Sequence, residues 1–178
     1  GKTIDMPLLK NAQKVLERAS AAGKIYRMST PNWDVWQFLL GEWVGEGDGT
    51  PGQGRGGFTF AFDLDGKILV RKNYAEYPAT NAKPAYRHDD LMIIYEAPEG
   101  IFRANYFDSE GHVVNYAIEF SADQKTTTFI SNRLTAAPRF RLTYEKIDVE
   151  HLGIQFEIAP PGKPDDFSIY IQASAYRK

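Results

Sequence analysis

Histidine is the side chain most suited to acid–base and metal chemistry near neutral pH, and the 178 residues hold three: His88, His112 and His151. His88 stands beside Asp89 and Asp90 at the head of HDDLMIIY. An imidazole with a carboxylate is the minimum for an oriented general base, or for two ligands of a divalent metal. Neighbours on a strand point to opposite faces, so His88 shares a side with Asp90 and not with Asp89. Two ligands are not a site, and His112, just past the turn Ser109-Glu110-Gly111, would have to come near. His151 sits in the turn-like VEHLG and reads as solvated. There is no cysteine, which excludes disulfides, thiolate metal sites, iron–sulfur clusters and a cysteine nucleophile. No Ser-His-Asp arrangement and no H-E-x-x-H occurs. Asp63-Leu64-Asp65-Gly66 opens like a calcium loop, but Lys67 and the next strand end it. Two overlapping G-x-G-x-x-G patterns occur, at Gly47/Gly49/Gly52 and Gly52/Gly54/Gly57. The dinucleotide mechanism needs a helix after the loop, and here an alternating phenylalanine strand follows. The glycines read as a long hairpin loop that would act as a lid if it rims a barrel mouth. These residues assign no catalytic set, no metal site and no cofactor.

The tyrosines carry more information. Tyr74, Tyr106, Tyr116 and Tyr144 each share a face with apolar residues on four different strands. If that face is interior, their hydroxyls point into a shared cavity or bond one another. Lys72 falls on the side of Tyr74, where it would be a buried cation unless it meets a ligand or a carboxylate. The expected ligand-binding set is therefore Lys72, Tyr74, His88, Met92, Tyr106, Tyr116 and Tyr144. Arg71, Asn73, Arg103, Asn105, Asn115, Arg141, Gln155 and Glu157 are then the outer polar face, with cross-strand pairs. The inverse assignment, with an arginine cluster inside, stays open.

Strands must position these groups. Period-2 alternation runs through 41–48, 57–64, 67–77, 88–95, 101–108, 112–121, 126–132, 139–147, 152–159 and 167–177. Asp65-Gly66, Pro98-Glu99-Gly100 and Ser109-Glu110-Gly111 supply turns. Ten short strands at this spacing imply an all-β fold, an antiparallel up-and-down barrel of lipocalin or calycin type. Ahead of them, residues 5–23 read as a helix, with Asp5 as cap, Pro7 in the first turn and Gly23 as stop. Residues 31–40 read as a short helix capped by Thr30 or Asn32. Trp33, Trp36, Phe38, Leu39 and Leu40 make it too apolar for the surface, so it would plug the barrel from below. The expected organisation is a helical extension over 1–30 and a barrel domain over 31–178.

Gly41-x-Trp43 at the first strand is the motif of lipocalin-like barrels in which the tryptophan crosses the closed end. Arg177 on the last strand is placed to stack over it. WQFLLGEWVGEGDG resembles the first strand of nitrobindin-type and related fatty-acid-binding-protein-like barrels. LDGKILVRKNYAEYP, HDDLMIIY, NYFDSEGHVVNYAIEFS, PRFRLTY and FEIAPPGKP resemble a bacterial lipocalin-like family. The resemblance covers residues 33–178 and implies a fold rather than an activity. Nitrobindins bind haem through a histidine near the C-terminus, whereas this chain has none after His151.

Composition fits this reading. The chain has 21 Lys and Arg against 23 Asp and Glu, a net charge of −2, which argues against nucleic acid as a partner. No apolar run is long enough to be a transmembrane segment. The first residue is Gly1, which fits a trimmed N-terminus and leaves exported and cytoplasmic locations open. The expected partner is a small hydrophobic or amphipathic ligand in the barrel cavity, with the oligomeric state open. The alternatives are an enzyme using Lys72, Tyr74, His88 and Tyr106 on a small phenolic or carbonyl substrate, haem or metal binding through His88 or His112, and an interaction module docking through the helix or the glycine loop.

Overall fold

The computed structural model describes residues 32–46 and 54–178. The expected helix over 5–23 and most of the glycine loop lie outside those residues. A short 3-10 helix, Trp33–Trp36, leads into ten strands. They are β1 (Gly41–Glu46), β2 (Arg55–Asp63), β3 (Ile68–Tyr77), β4 (Tyr86–Glu96) and β5 (Phe102–Asp108). The others are β6 (Val113–Phe120), β7 (Thr126–Ser131), β8 (Arg139–Lys146), β9 (His151–Ala159) and β10 (Ser168–Arg177). Each strand pairs antiparallel with the next, and β10 returns to β1, closing the barrel. Closure leaves no edge strand exposed.

The closing seam shows how the sequence secures this. Trp43 pairs with Arg177 across β1 and β10, and the guanidinium lies 4.3 Å from the indole ring centre. Arg177 also donates to the carbonyls of Leu40 and Phe38, and Trp43 Nε1 donates to Leu39 O at 2.8 Å. The residues ahead of β1 are thus tied to the last strand. Gly57 is required beside this seam, because a Cβ there would stand 2.8 Å from Trp43 O. No side chain fits that approach.

The predicted plug is present but shorter than expected. One 3-10 turn forms, with the Asn32 side chain accepting from Asp34 N at 3.3 Å. Four residues suffice because tertiary packing, not helix propensity, holds them. Trp36 and Leu39 are fully buried. Trp36 meets Phe102 and Phe120 edge-on at 5.4 and 5.1 Å, and Trp33 meets Phe62 at 5.4 Å. These rings come from β2, β5 and β6 and fill one end of the barrel. The interior then divides lengthwise into a packed aromatic half by the plug and a polar half toward the other end.

Trp36→Ala should therefore cost about 3–5 kcal/mol in urea unfolding, the range for emptying a fully packed aromatic site. A loss below about 1 kcal/mol would show that this end is not packed as described.

Candidate functional site

The inner face of β3 decides what the barrel can bind. Phe58, Phe60 and Phe62 of β2 face the core, and they pair with Asn73, Arg71 and Leu69 of β3. Residues paired across a ladder share a face. Arg71 and Asn73 therefore point inward, while Lys72 and Tyr74 point outward and are exposed. This reverses the face expected from alternation alone. Ile68, Leu69 and Val70 put apolar residues on both sides of β3, so the strand's own pattern does not choose. The β2–β3 hairpin chooses, because its turn sets Asp63 opposite Ile68 and so Phe60 opposite Arg71.

Arg71 is 7% exposed inside the barrel. Its Nη1 donates to Asp90 Oδ1 at 2.6 Å, and Asn73 Nδ2 donates to Asp90 Oδ2 at 2.8 Å. The guanidinium stands 5.7 Å from the Phe58 ring centre and 5.9 Å from that of Tyr144. Burial opposes the Arg71 charge, but Tyr144 and Asp90 outweigh it and keep the guanidinium ionised. Above this pair, His88 Nε2 lies 3.3 Å from the Tyr106 hydroxyl and 3.6 Å from Asp90 Oδ2. The Tyr106 hydroxyl donates to Asp108 Oδ2 at 3.4 Å. His88 Nδ1 lies 3.0 Å from Glu110 Oε1, and His112 Nδ1 lies 2.9 Å from Asp108 Oδ2.

Of the expected ligand-binding set, His88, Met92, Tyr106, Tyr116 and Tyr144 face the interior. Met92, Tyr116 and Tyr144 are buried as a floor. Lys72 and Tyr74 line a different feature, a concavity of about 320 Å³ on the β1–β4 flank. It is walled by the outward side chains of Glu42, Thr59, Lys72, Tyr74, Arg87 and Asp89, with Trp43, Phe58 and Asn73 also in contact. Arg87 covers Tyr74 there at 4.7 Å. The four-residue acid–base set is thereby split, with His88 and Tyr106 inside and Lys72 and Tyr74 outside. His151 is bonded to Asp148 at the plug end, far along the barrel from His88. Arg71 and Asn73, expected on the outer face with the inverse left open, lie inside, and Asp108 and Glu110 were not anticipated. The hairpin register would have found Arg71, and the β4–β5 pairing of Asp90 with Asp108 would have found the carboxylates.

The opposite wall of the mouth is apolar. Phe140 and Phe156 stack at 5.9 Å, and they and Ile154 pack on the core yet remain only partly buried. Tyr170 meets Phe156 edge-on at 6.2 Å. Burial raises the Tyr77 hydroxyl above its ordinary range, and Tyr86, Tyr170 and Glu110 add to the rise. Tyr77 of β3 stacks on Tyr86 of β4 at 4.5 Å at the same end of the barrel. The site is a mouth with a polar wall on β3–β5 and an apolar wall on β8–β9.

No protein-family model and no curated relative matches the chain. Among solved structures it is similar to pallilysin of Treponema pallidum, at 10% identity over 99% of this chain and 98% of that one, with a TM-score of 0.36. A score that low carries no argument, and the barrel rests on its own strand pairing. Among the described residues, no helix is long and apolar enough to cross a membrane.

Tyr144 supplies a test of this floor. It is fully buried, and its hydroxyl makes no hydrogen bond of ordinary length. Burial pushes that hydroxyl up to about 12, against the pull of Arg71. A raised tyrosine pKa stabilises the fold below the unfolded value of about 10, and that stability is lost as pH rises through the folded value. Tyr144→Phe should therefore cost less than about 1 kcal/mol at neutral pH and shift alkaline unfolding upward. A downward shift would mean that the hydroxyl is a stabilising partner.

Proposed function

We propose that this barrel binds a small, mostly apolar ligand carrying one polar group, held in the mouth opposite the plug. One observation carries the reading. Side chains that face the interior remain partly exposed there, and they divide by chemistry. His88, Tyr106 and Asn73 stand on one side, and Phe140, Phe156 and Ile154 on the other. A ligand entering at this end would meet both sets. A mouth of this kind orients an amphipathic molecule, with its apolar body against the paired phenylalanines and its polar end toward the hydrogen-bonding wall. Arg71 and Asp90 lie beneath, prepositioned and already paired, so they set the field of the site and spend no rotamer entropy on binding.

The resemblance of WQFLLGEWVGEGDG to fatty-acid-binding-protein-like barrels supports the same class of ligand. The closed ten-strand barrel and the Trp43–Arg177 seam suit such a protein. Ten strands exceed the eight of a lipocalin barrel and leave a wider interior for the plug and the mouth to share. The helical extension expected at 1–30 belongs to this proposal as well.

Native mass spectrometry against a panel of amphipathic molecules tests it. One ligand per chain is expected, with affinity reduced at least about tenfold by Phe156→Asp and by His88→Ala. Lys72→Ala, on the outer face, should leave it unchanged. Binding abolished by Lys72→Ala and untouched by Phe156→Asp would move the site to the outer concavity and overturn the reading.

A further inference from the structure

We propose that the rim of the mouth carries a divalent-cation site formed by His88, Asp108, Glu110 and His112. His88 lies near the start of β4, Asp108 closes β5, and Glu110 and His112 lie in the turn to β6. Donor atoms of His88, Asp108 and Glu110 all lie within 4.8 Å of one another. His112 Nδ1 stands outside that group of three but next to it, 2.9 Å from Asp108 Oδ2 and 3.8 Å from Glu110 Oε2, where it would turn in as a fourth ligand. Donors around a tetrahedral ion at about 2.1 Å stand about 3.4 Å apart, so the separations in this cluster bracket that value.

Two further observations favour a cation over an ordinary ion-pair cluster. The first is orientation. Asp108 Oδ1 accepts the backbone N–H groups of Glu110 and His112 at 3.0 and 2.9 Å, which fixes the carboxylate and leaves Oδ2 for the cluster. His88 Nε2 faces Tyr106 and Asp90, and Asp90 is held by Arg71 and Asn73. A ligating imidazole whose other nitrogen meets an anchored carboxylate is the usual outer shell of a metal-bound histidine.

The second is charge. Glu76 and Asp89 are paired with Arg87, and Asp90 with Arg71. The side-chain partners of Asp108 and Glu110 in this cluster are imidazoles and a phenol. Two nitrogens and two carboxylates, in a chain without cysteine, suit a first-row divalent ion of the zinc class. Calcium would want oxygen ligands only. The site needs no organic ligand in the mouth, so it stands or falls separately from the function proposed above.

The experiment is a titration of the tag-free full chain, stripped with chelator, using Zn(II) by calorimetry and Co(II) by its d–d absorption. One ion per chain is expected, with a Co(II) band of imidazole and carboxylate ligation. Glu110→Gln, at a half-exposed position that tolerates change, should weaken binding at least about tenfold, as should His88→Ala. Thermal melts establish that both variants fold. His151→Ala removes the imidazole–carboxylate pair at the other end of the barrel and should change nothing. Absence of saturable binding, or equal affinity in wild type and Glu110→Gln, would overturn the proposal. Loss of binding in His151→Ala would overturn it as well.

Discussion

The ion pair between Arg71 and Asp90 is the constraint on which the rest of this barrel depends. Both side chains are nearly inaccessible, at 8% and 4% exposed. Isolated, either charge would be strongly disfavoured in such a place. Together, with Asn73 on the second carboxylate oxygen and two aromatic rings beside the guanidinium, they are tolerated. The pair reaches diagonally between β3 and β4, so it exists only in the observed register. A one-residue slip would send Arg71 to solvent and Lys72 inward, beside no anchored carboxylate.

From that pair the two halves of the interior follow. Toward the plug, Trp33 and Trp36 meet phenylalanines of β2, β5, β6 and β7, and Glu96 of β4 is buried opposite Phe102. Toward the mouth, each polar side chain rests on the one below. Asp90 stands under His88, His88 beside Tyr106, and Tyr106 beside Asp108. Such a ladder stays satisfied only if its base is fixed, and the cost of an unpaired member inside a barrel is high. The phenylalanine wall on β8 and β9 has no such network, which is why the mouth is two-sided.

Most of the fold was legible in the sequence. Alternation placed all ten strands within a few residues, and Gly41-x-Trp43 with Arg177 located the seam. The inward faces of β5, β6 and β8 were read correctly, because Phe102, Ala104 and Tyr106, for example, leave the other face of β5 to Arg103 and Asn105. β3 failed that test, since Ile68, Leu69 and Val70 are apolar on both sides and Arg71 and Lys72 are cationic on both. Only its partner strand could decide. The rim cluster failed for another reason. Asp108 and Glu110 look like ordinary turn residues until strand pairing brings β4 alongside β5, and chemistry made by register is invisible to a reading of one strand at a time.

A double-mutant cycle on Arg71→Met and Asp90→Asn tests the central claim most directly. Each single change leaves a buried group without its partner and should cost about 3–5 kcal/mol in denaturant unfolding. The double variant removes both charges and should cost clearly less than the sum, a coupling of about 1–3 kcal/mol. Additive losses below about 1 kcal/mol each would contradict the account, because Arg71 and Asp90 would then be solvated and independent.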